Sequence, residues 1–335
     1  MRIYFYIKLQ NVVPVYNCLP EIDISEIDTS ITIFNKKIKY PFFASAITGG
    51  TEISEKVNKH IASVCEELGI PMGLGSQRAM IEKPELKPTF YVRDVAPSIL
   101  LFANIGAAQL KKYSVKQIMD AVSDVEADAL MLHINVAQEL FQKEGDANWH
   151  GTLENITKLC DASDVPVIAK EVGNGVSREC AKTLKDAGVS GIDVGGFGGT
   201  SWVKVDALRS ALDFKLFERF GIPTAASVIE CRGLGLPIFA TGGIRTGLDV
   251  AKAIMLGASA CGLALPVLRH AMKFESGNFV FYEKTKLKDF FEGLGADLKK
   301  AMLLVGARNI KELSGKKYVL LGGLKDWVEQ RGLLS

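Results

Sequence analysis

The stretch PVIAKEVGNGVSRECAKTLKDAGVSGIDVGG, Pro166 to Gly196, decides the fold. It opens on an apolar run without alternation, Pro166–Lys170, which is how a strand covered on both faces reads. A glycine-rich loop follows, and then an amphipathic segment, Ser177–Ala187, with Ser177 as its start signal and Gly188 as its stop. A second apolar run, Gly191–Val194, ends in a pair of glycines. Strand, helix and strand in that order imply two parallel strands joined by a crossover.

The same unit recurs outward in both directions. The candidate strands are Pro41–Ala46, Ile70–Leu74, Ile99–Asn104, Ala129–Ile134, Pro166–Lys170, Gly191–Val194, Pro237–Ala240 and Ser259–Leu263. The helical segments are Ser54–Leu68, Lys83–Val95, Ser114–Val125, Thr152–Ala162, Ser177–Ala187, Ile222–Arg232 and Gly247–Met255. Eight repeats let a parallel sheet close on itself, so the expectation is an α/β protein: a single-domain (β/α)8 TIM barrel at about 41–270, with an N-terminal extension and C-terminal helices at about 284–313. An open doubly wound sheet is the alternative, with its usual count of roughly five or six strands.

Composition agrees. The 335 residues are 48% hydrophobic and 23% charged, enough apolar material for one large core in a soluble protein. A net charge of +2 leaves no bulk electrostatic case for nucleic acid or a membrane surface, and the basic run Tyr282–Lys288 reads as a solvated helix face. The uncharged stretch Ala253–Leu268 is broken by Gly257, Gly262 and Pro266, so it is not a span, and Met1–Ile7 is too short for a signal peptide. Cys18, Cys65, Cys160, Cys180, Cys231 and Cys261 are scattered without C-x-x-C pairing, which points to reduced, mostly buried thiols in a cytoplasmic protein.

In such barrels the chemistry sits at the C-terminal ends of the strands. The polar and glycine clusters fall there: Ala46–Gly50, Gly73–Arg78, Asn104–Gly106, His133–Asn135 with Gln138 and Glu139, Lys170–Gly175, Asp193–Thr200, Thr241–Arg245 and Ala264–Pro266. Gly195–Thr200 and Gly242–Gly243, one strand apart, suit a phosphate cradle, because bare backbone N–H groups there can bind a dianion. Lys170 ends an apolar strand and so needs a partner. A salt bridge to Asp193 or Glu171 would serve; the preferred reading is stabilisation of negative charge on a reduced flavin. His133 and Asn135 are two apart and share a strand face, either to hold a polar substrate head with Gln138 and Glu139 or as a core histidine bonded to Asn135. Glu139 suits Mg2+, and Arg78 with Ser76 suits an anion.

On these residues the chain resembles the type 2, FMN-dependent isopentenyl-diphosphate isomerases. The resemblance is carried by AITGG (46–50), GLGSQRAM (73–80), FANIG (102–106), LHINVAQEL (132–140), GDANWHGTL (145–153), KEVGNGVS (170–177), DVGGFGGTSW (193–202), ATGGIRTG (240–247) and GLALP (262–266). The resemblance implies FMN held by Ala46, Ile47, Thr48, Ser76, Asn104, Lys170, Thr200, Gly242, Gly243, Arg245, Ala264 and Leu265. It implies substrate contacts from Ser76, Gln77, Arg78, His133, Asn135 and Gln138, with Gln138 and His133 at the reacting end and Mg2+ at Glu139. It further implies isopentenyl and dimethylallyl diphosphate as substrate and product, NADPH as the usual reductant of the flavin, and a homotetramer or homo-octamer.

One feature departs from the family's pattern. An adjacent Arg-Lys pair and a nearby histidine open that pattern and reach the substrate diphosphate, whereas here Arg2 and Lys8 are separated and the first histidine is His60. The expectation is a true start upstream of Met1; the alternative is a flavin-binding protein with impaired turnover. Two rivals share the barrel. A 2-hydroxy acid oxidase needs a histidine base where this chain has Val194–Gly199, and an inosine-monophosphate-dehydrogenase-like enzyme needs a loop cysteine where Cys180 lies in a helix.

Overall fold

The structure is a computed structural model and describes residues 9–333. Its strands are β1 (Val12–Pro14), β2 (Ile31–Ile33), β3 (Lys36–Ile38), β4 (Phe42–Ala44), β5 (Met72–Gly73), β6 (Leu101–Gly106), β7 (Ala129–Ile134), β8 (Val167–Glu171), β9 (Gly191–Asp193), β10 (Ile238–Thr241), β11 (Ala260–Leu263), β12 (Met272–Glu275), β13 (Asn278–Phe281) and β14 (Tyr318–Leu320). Strands β4 to β11 form a closed, all-parallel barrel in which β11 pairs back onto β4. All eight expected strands are present, β7 with its expected ends and the others with ends shifted by a residue or two. Proline accounts for part of the shift. Pro41, Pro166 and Pro237 have no N–H to donate, so the ladder proper starts one residue later, while their carbonyls still accept from Cys261, Leu130 and Ile192.

Strand alternation divides the barrel interior into layers. Phe43, Phe102, Met131, Ile168, Phe239 and Ala260 point inward and form one buried apolar layer. Phe43, Phe102 and Phe239 meet edge to face, with ring centroids 5.6, 5.8 and 6.0 Å apart. The hairpin β2–β3 closes the barrel below them. It inserts Ile33 and Ile38 into the same cluster and sets Phe34 6.4 Å from Phe239. Lys36 fastens it through an ion pair to Asp128 at 2.7 Å and bonds to the carbonyls of Ser98 and Ile99. The hairpin lies within the N-terminal extension expected before residue 41.

The outer layer is α1 (Glu52–Leu68), α2 (Arg78–Glu82), α3 (Val115–Asp124), α4 (Val136–Glu139), α5 (Thr152–Ala162), α6 (Arg178–Asp186), α7 (Trp202–Ser210), α8 (Thr224–Cys231), α9 (Gly247–Leu256), α10 (Leu265–Ala271), α11 (Lys284–Leu304), α12 (Ile310–Ser314) and α13 (Gly322–Gln330). The helix expected over Lys83–Val95 is absent. Pro84 and Pro88 withhold N–H groups, and the segment folds as a 3-10 turn over Pro84–Thr89 followed by turns. The C-terminal extension also continues past the expected end at 313. β14 pairs antiparallel with β1, and α13 docks through Arg331, which bonds the fully buried Glu230 at 2.9 Å. Cys65, Cys231 and Cys261 are buried and Cys160 half-buried, but Cys18 and Cys180 are exposed; all six thiols are free. Among the described residues no helix is long and apolar enough to cross a membrane.

Phe239→Ala removes the ring common to three of these contacts and is expected to cost about 3–5 kcal/mol. Urea unfolding would read this as a lowered midpoint; an unchanged midpoint would contradict the packing of the lower layer.

Candidate functional site

Two residues above the apolar layer, the same inward positions turn polar. Asn104 follows Phe102, His133 follows Met131, Lys170 follows Ile168 and Thr241 follows Phe239. The parallel register sets Gly106 beside His133, His133 beside Lys170, and Lys170 beside Asp193. A polar layer therefore lines the barrel mouth because strand side chains recur with a period of two.

Asp193 is fully buried, and its Oδ2 lies 2.9 Å from Lys170 Nζ. Its Oδ1 accepts from the Thr241 hydroxyl and from the Gly195 N–H at 3.2 Å. Lys170 also donates to the carbonyl of Glu171 at 3.1 Å and stays 8% exposed at the mouth. The ion pair is thus the Asp193 option weighed from sequence, and it leaves the ammonium fixed at the rim.

His133 Nδ1 lies 2.8 Å from Asn104 Oδ1, so its partner is Asn104 and not Asn135. With the amide oxygen as acceptor, Nδ1 carries the hydrogen and Nε2 offers a lone pair beside Gly106, where a Cβ would stand 2.8 Å from Nε2. Burial, with the positive charges of Lys170 and Arg78 adding to it, lowers the His133 pKa to about 4. The ring is neutral at physiological pH.

Gln77 departs from expectation. Its side chain is 1% exposed, donates to the Ala121 carbonyl of α3 at 2.9 Å and accepts from Asn104 N at 3.0 Å. It braces the loop after β5 from behind and has no amide left to offer a substrate. Ser76 and Arg78, its neighbours, are exposed.

Above β7, Asn135 is 3% exposed and donates to Glu139 Oε1 at 2.8 Å and Gln138 Oε1 at 3.3 Å. Its own Oδ1 is buried with no partner. Gln138 Nε2 donates to Asp206 Oδ2 at 2.7 Å. Asp206, on α7 and 2% exposed, is further held by Arg209 at 3.2 Å and Gln142 at 3.4 Å. Sequence reasoning missed Asp206, because an aspartate inside Trp202–Ser210 reads as an ordinary helix position. Glu139 Oε2 accepts from Asp146 N at 2.9 Å, which closes a loop where a Cβ on Gly145 would stand 1.8 Å from the Glu139 carbonyl. Among the described residues no group of three or more His, Cys, Asp or Glu is arranged to hold a metal.

On the other side of the mouth, two glycine loops lie backbone against backbone. A Cβ on Gly242 would stand 2.1 Å from the Gly196 carbonyl, and one on Gly243 2.4 Å from that of Gly198. Thr224 bolts the pair through a 2.5 Å bond to the Gly242 carbonyl. Arg245 is exposed and turns back on the Gly243 carbonyl at 2.9 Å, Thr200 is exposed, Ala264 is half-buried and Leu265 is 41% exposed. Across the mouth Ala46, Ile47 and Thr48 are half-buried, with Thr48 O accepting from Gly75 N at 3.2 Å. Arg2 and Lys8 lie outside the described residues.

Residues 103–319 match the model of the FMN-dependent dehydrogenase family. The chain is 44% identical to the isopentenyl-diphosphate delta-isomerase of Pyrococcus furiosus over 95% of its own length and 82% of that protein. It is 43% identical to the same-named protein of Metallosphaera sedula, covering 97% and 90%, and 42% identical to that of Archaeoglobus fulgidus, covering 98% and 94%. Among solved structures, flavocytochrome b2 superposes with a TM-score of 0.66 at 19% identity, over 95% of this chain and 78% of that one. A mandelate oxidase variant with (S)-mandelic acid gives 0.66 at 18% identity, over 93% and 88%. These two share the fold alone.

An NMR titration of the His133 ring is expected to find its midpoint at about 4, below the ordinary 6.5. Because the folded value is the lower one, the neutral ring costs stability as pH falls from 6.5 toward 4 and nothing above that window. A midpoint above about 6 would contradict the burial and the charge arrangement described.

Proposed function

The chain belongs to the FMN-dependent dehydrogenase family and, within it, to the isopentenyl-diphosphate delta-isomerases, and from that membership we propose how its barrel mouth interconverts isopentenyl and dimethylallyl diphosphate on FMN. The observation that carries the reading is the Gln138–Asp206 bond of 2.7 Å at the mouth. An amide locked by a buried carboxylate positions and polarises but transfers no proton, because it has no useful pKa. His133 is likewise neutral and Lys170 is tied to Asp193. An oxidase of 2-hydroxy acids would need a histidine base in the loop after β9, and Val194–Gly199 has none.

The residues at the mouth fit a flavin mononucleotide. The glycine loops pack backbone against backbone at the strand ends, which supports a phosphate cradle of bare N–H groups, and the Lys170 ammonium at the rim suits negative charge on a reduced ring. Ala46, Ile47, Thr48, Ser76, Asn104, Lys170, Thr200, Gly242, Gly243, Arg245, Ala264 and Leu265 would hold it. Reduced FMN, when bound, supplies the acid and base for moving a proton across the alkene. Gln138, fixed by Asp206, sets the position of the reacting carbons, and the neutral His133 offers Nε2 without adding charge beside them. Arg78 and Ser76, exposed at the rim, meet the diphosphate, and the unpartnered Asn135 Oδ1 awaits a donor or cation there.

We also assign Mg2+ to Glu139, supported by a carboxylate beside that orphaned oxygen. With so few protein oxygens, the substrate diphosphate and water complete the shell, as Mg2+ prefers. NADPH is the assigned reductant, and the cytoplasm the assigned compartment, supported by six free thiols. Leu216, Phe220 and Leu208, 92%, 67% and 65% exposed, support a homotetramer or homo-octamer that covers them.

Purified protein with NADPH and Mg2+ is expected to be yellow and to convert isopentenyl diphosphate. EDTA, or Glu139→Gln, should lower kcat/KM by about 10²-fold; a coloured protein that converts nothing under anaerobic dithionite reduction would sink the assignment. Light scattering on a sizing column should give four or eight times 36.4 kDa, and a monomer at micromolar concentration would refute the assembly.

A further inference from the structure

Glu171 ends β8 beside Lys170, and its side chain belongs to none of the contacts assigned above. Its carboxyl Oε2 accepts three successive backbone N–H groups, from Gly173 at 2.7 Å, from Asn174, and from Gly175 at 3.1 Å. A single oxygen thereby winds residues 171–175 into a fixed loop. Around that loop the rest of the phosphate side is built. Gly175 N donates to the Gly195 carbonyl at 3.1 Å, and Asn174 O accepts from Ile222 N at 2.7 Å. Ile222 O in turn accepts from Phe197 N at 2.9 Å, and Phe197 O accepts from Thr224 N at 3.2 Å, the threonine that bolts Gly242. A Cβ on Gly173 would lie 3.4 Å from the Thr200 carbonyl, so this loop also backs directly onto the Gly198–Thr200 turn. Glu171's own carbonyl fills the place of a Gly195 Cβ, at 1.8 Å, with Gly195 at φ +44°.

We infer that Glu171 is a positioning residue for the flavin phosphate, holding the 195–200 loop against Gly242–Gly243 through the 171–175 loop; this rests on the FMN reading above. The hydrogen-bond acceptor matters here, not contact with the cofactor. A glutamine can present one oxygen at the same place, an aspartate is a methylene too short, and an alanine has none. FMN titrations followed by quenching of flavin fluorescence test it. Glu171→Ala and Glu171→Asp are each expected to weaken FMN binding about tenfold or more, from the loss of the acceptor oxygen that holds the three backbone N–H groups. Glu171→Gln is expected within about threefold of wild type, since the oxygen is kept. In the flavin-free proteins, amide exchange at Gly173 and Gly175 should quicken in the Ala and Asp variants and not in the Gln variant. If Ala does not fold, as read by circular dichroism, Asp carries the comparison. Wild-type affinity in both Ala and Asp, or a Gln variant as weak as Ala, overturns the inference. Failure of the wild type itself to bind FMN overturns the flavin reading instead.

Discussion

A carboxylate buried to zero exposure, Asp193, is the constraint on which the mouth of this barrel depends. Leaving a charge there unpaired would cost several kcal/mol, so its neighbours are not free to vary. Lys170 neutralises one oxygen from β8, and the Thr241 hydroxyl from β10 and the Gly195 N–H saturate the other. Three adjacent strands are thereby registered at the level where they leave the sheet. The loop after β9 departs at a set angle, and Gly195 must lack a side chain because the Glu171 carbonyl occupies its place. A pair that contributes little net stability still fixes geometry, because breaking it is expensive.

The charge is tolerable at that height only because of what lies beneath it. The phenylalanines of β4, β6 and β10 fill the barrel and the β2–β3 hairpin seals its floor, so solvent reaches the polar layer from one side only. Low polarisability below and charge at the rim act together on His133. Burial disfavours its protonated form, and Lys170 and Arg78 disfavour it further, so the ring at the mouth stays neutral beside cations. The apolar plug is thus part of the electrostatics of the site as well as of its stability.

Much of this was legible in the chain and some of it could not have been. The barrel strands are buried on both faces, which writes a continuous apolar run into each of them, and β7 matched its expected ends residue for residue. The polar strand ends were legible for the same reason, since His133 and Lys170 interrupt runs that are otherwise apolar. Orientation was not. Gln77 and Arg78 are neighbours where the loop after β5 enters the short helix α2, and only tertiary bonds to Ala121 and Asn104 turn Gln77 away from the mouth. Asp206 is invisible because its role is defined by Gln138, 68 residues away. The β1–β14 pairing likewise joins segments of three residues from opposite ends of the chain, too short for a pattern. Phe34 and Asn35 in left-handed conformation mark the β2–β3 turn, yet only the asparagine signals it in sequence.

The distribution of residue types follows from the division of labour at the mouth. In the function proposed above, proton movement is left to a bound flavin, and the side chains near the reacting carbons would hold position without taking the proton themselves. Asn104, Asn135 and Gln138 are amides, which bond strongly and do not titrate, and the one imidazole among them is held neutral. The carboxylates close by are each occupied: Asp193 by Lys170, Asp206 by Gln138 and Arg209, Glu139 by Asn135 and the Asp146 N–H. On the opposite side there are almost no side chains, only glycine backbone packed so closely on the neighbouring loop that a Cβ would strike its carbonyls. One half of the mouth is therefore specified by hydrogen-bond direction and the other by the absence of Cβ atoms. A methyl group added at Gly242 or Gly243 would collide with the carbonyl of Gly196 or Gly198 and force the two loops apart.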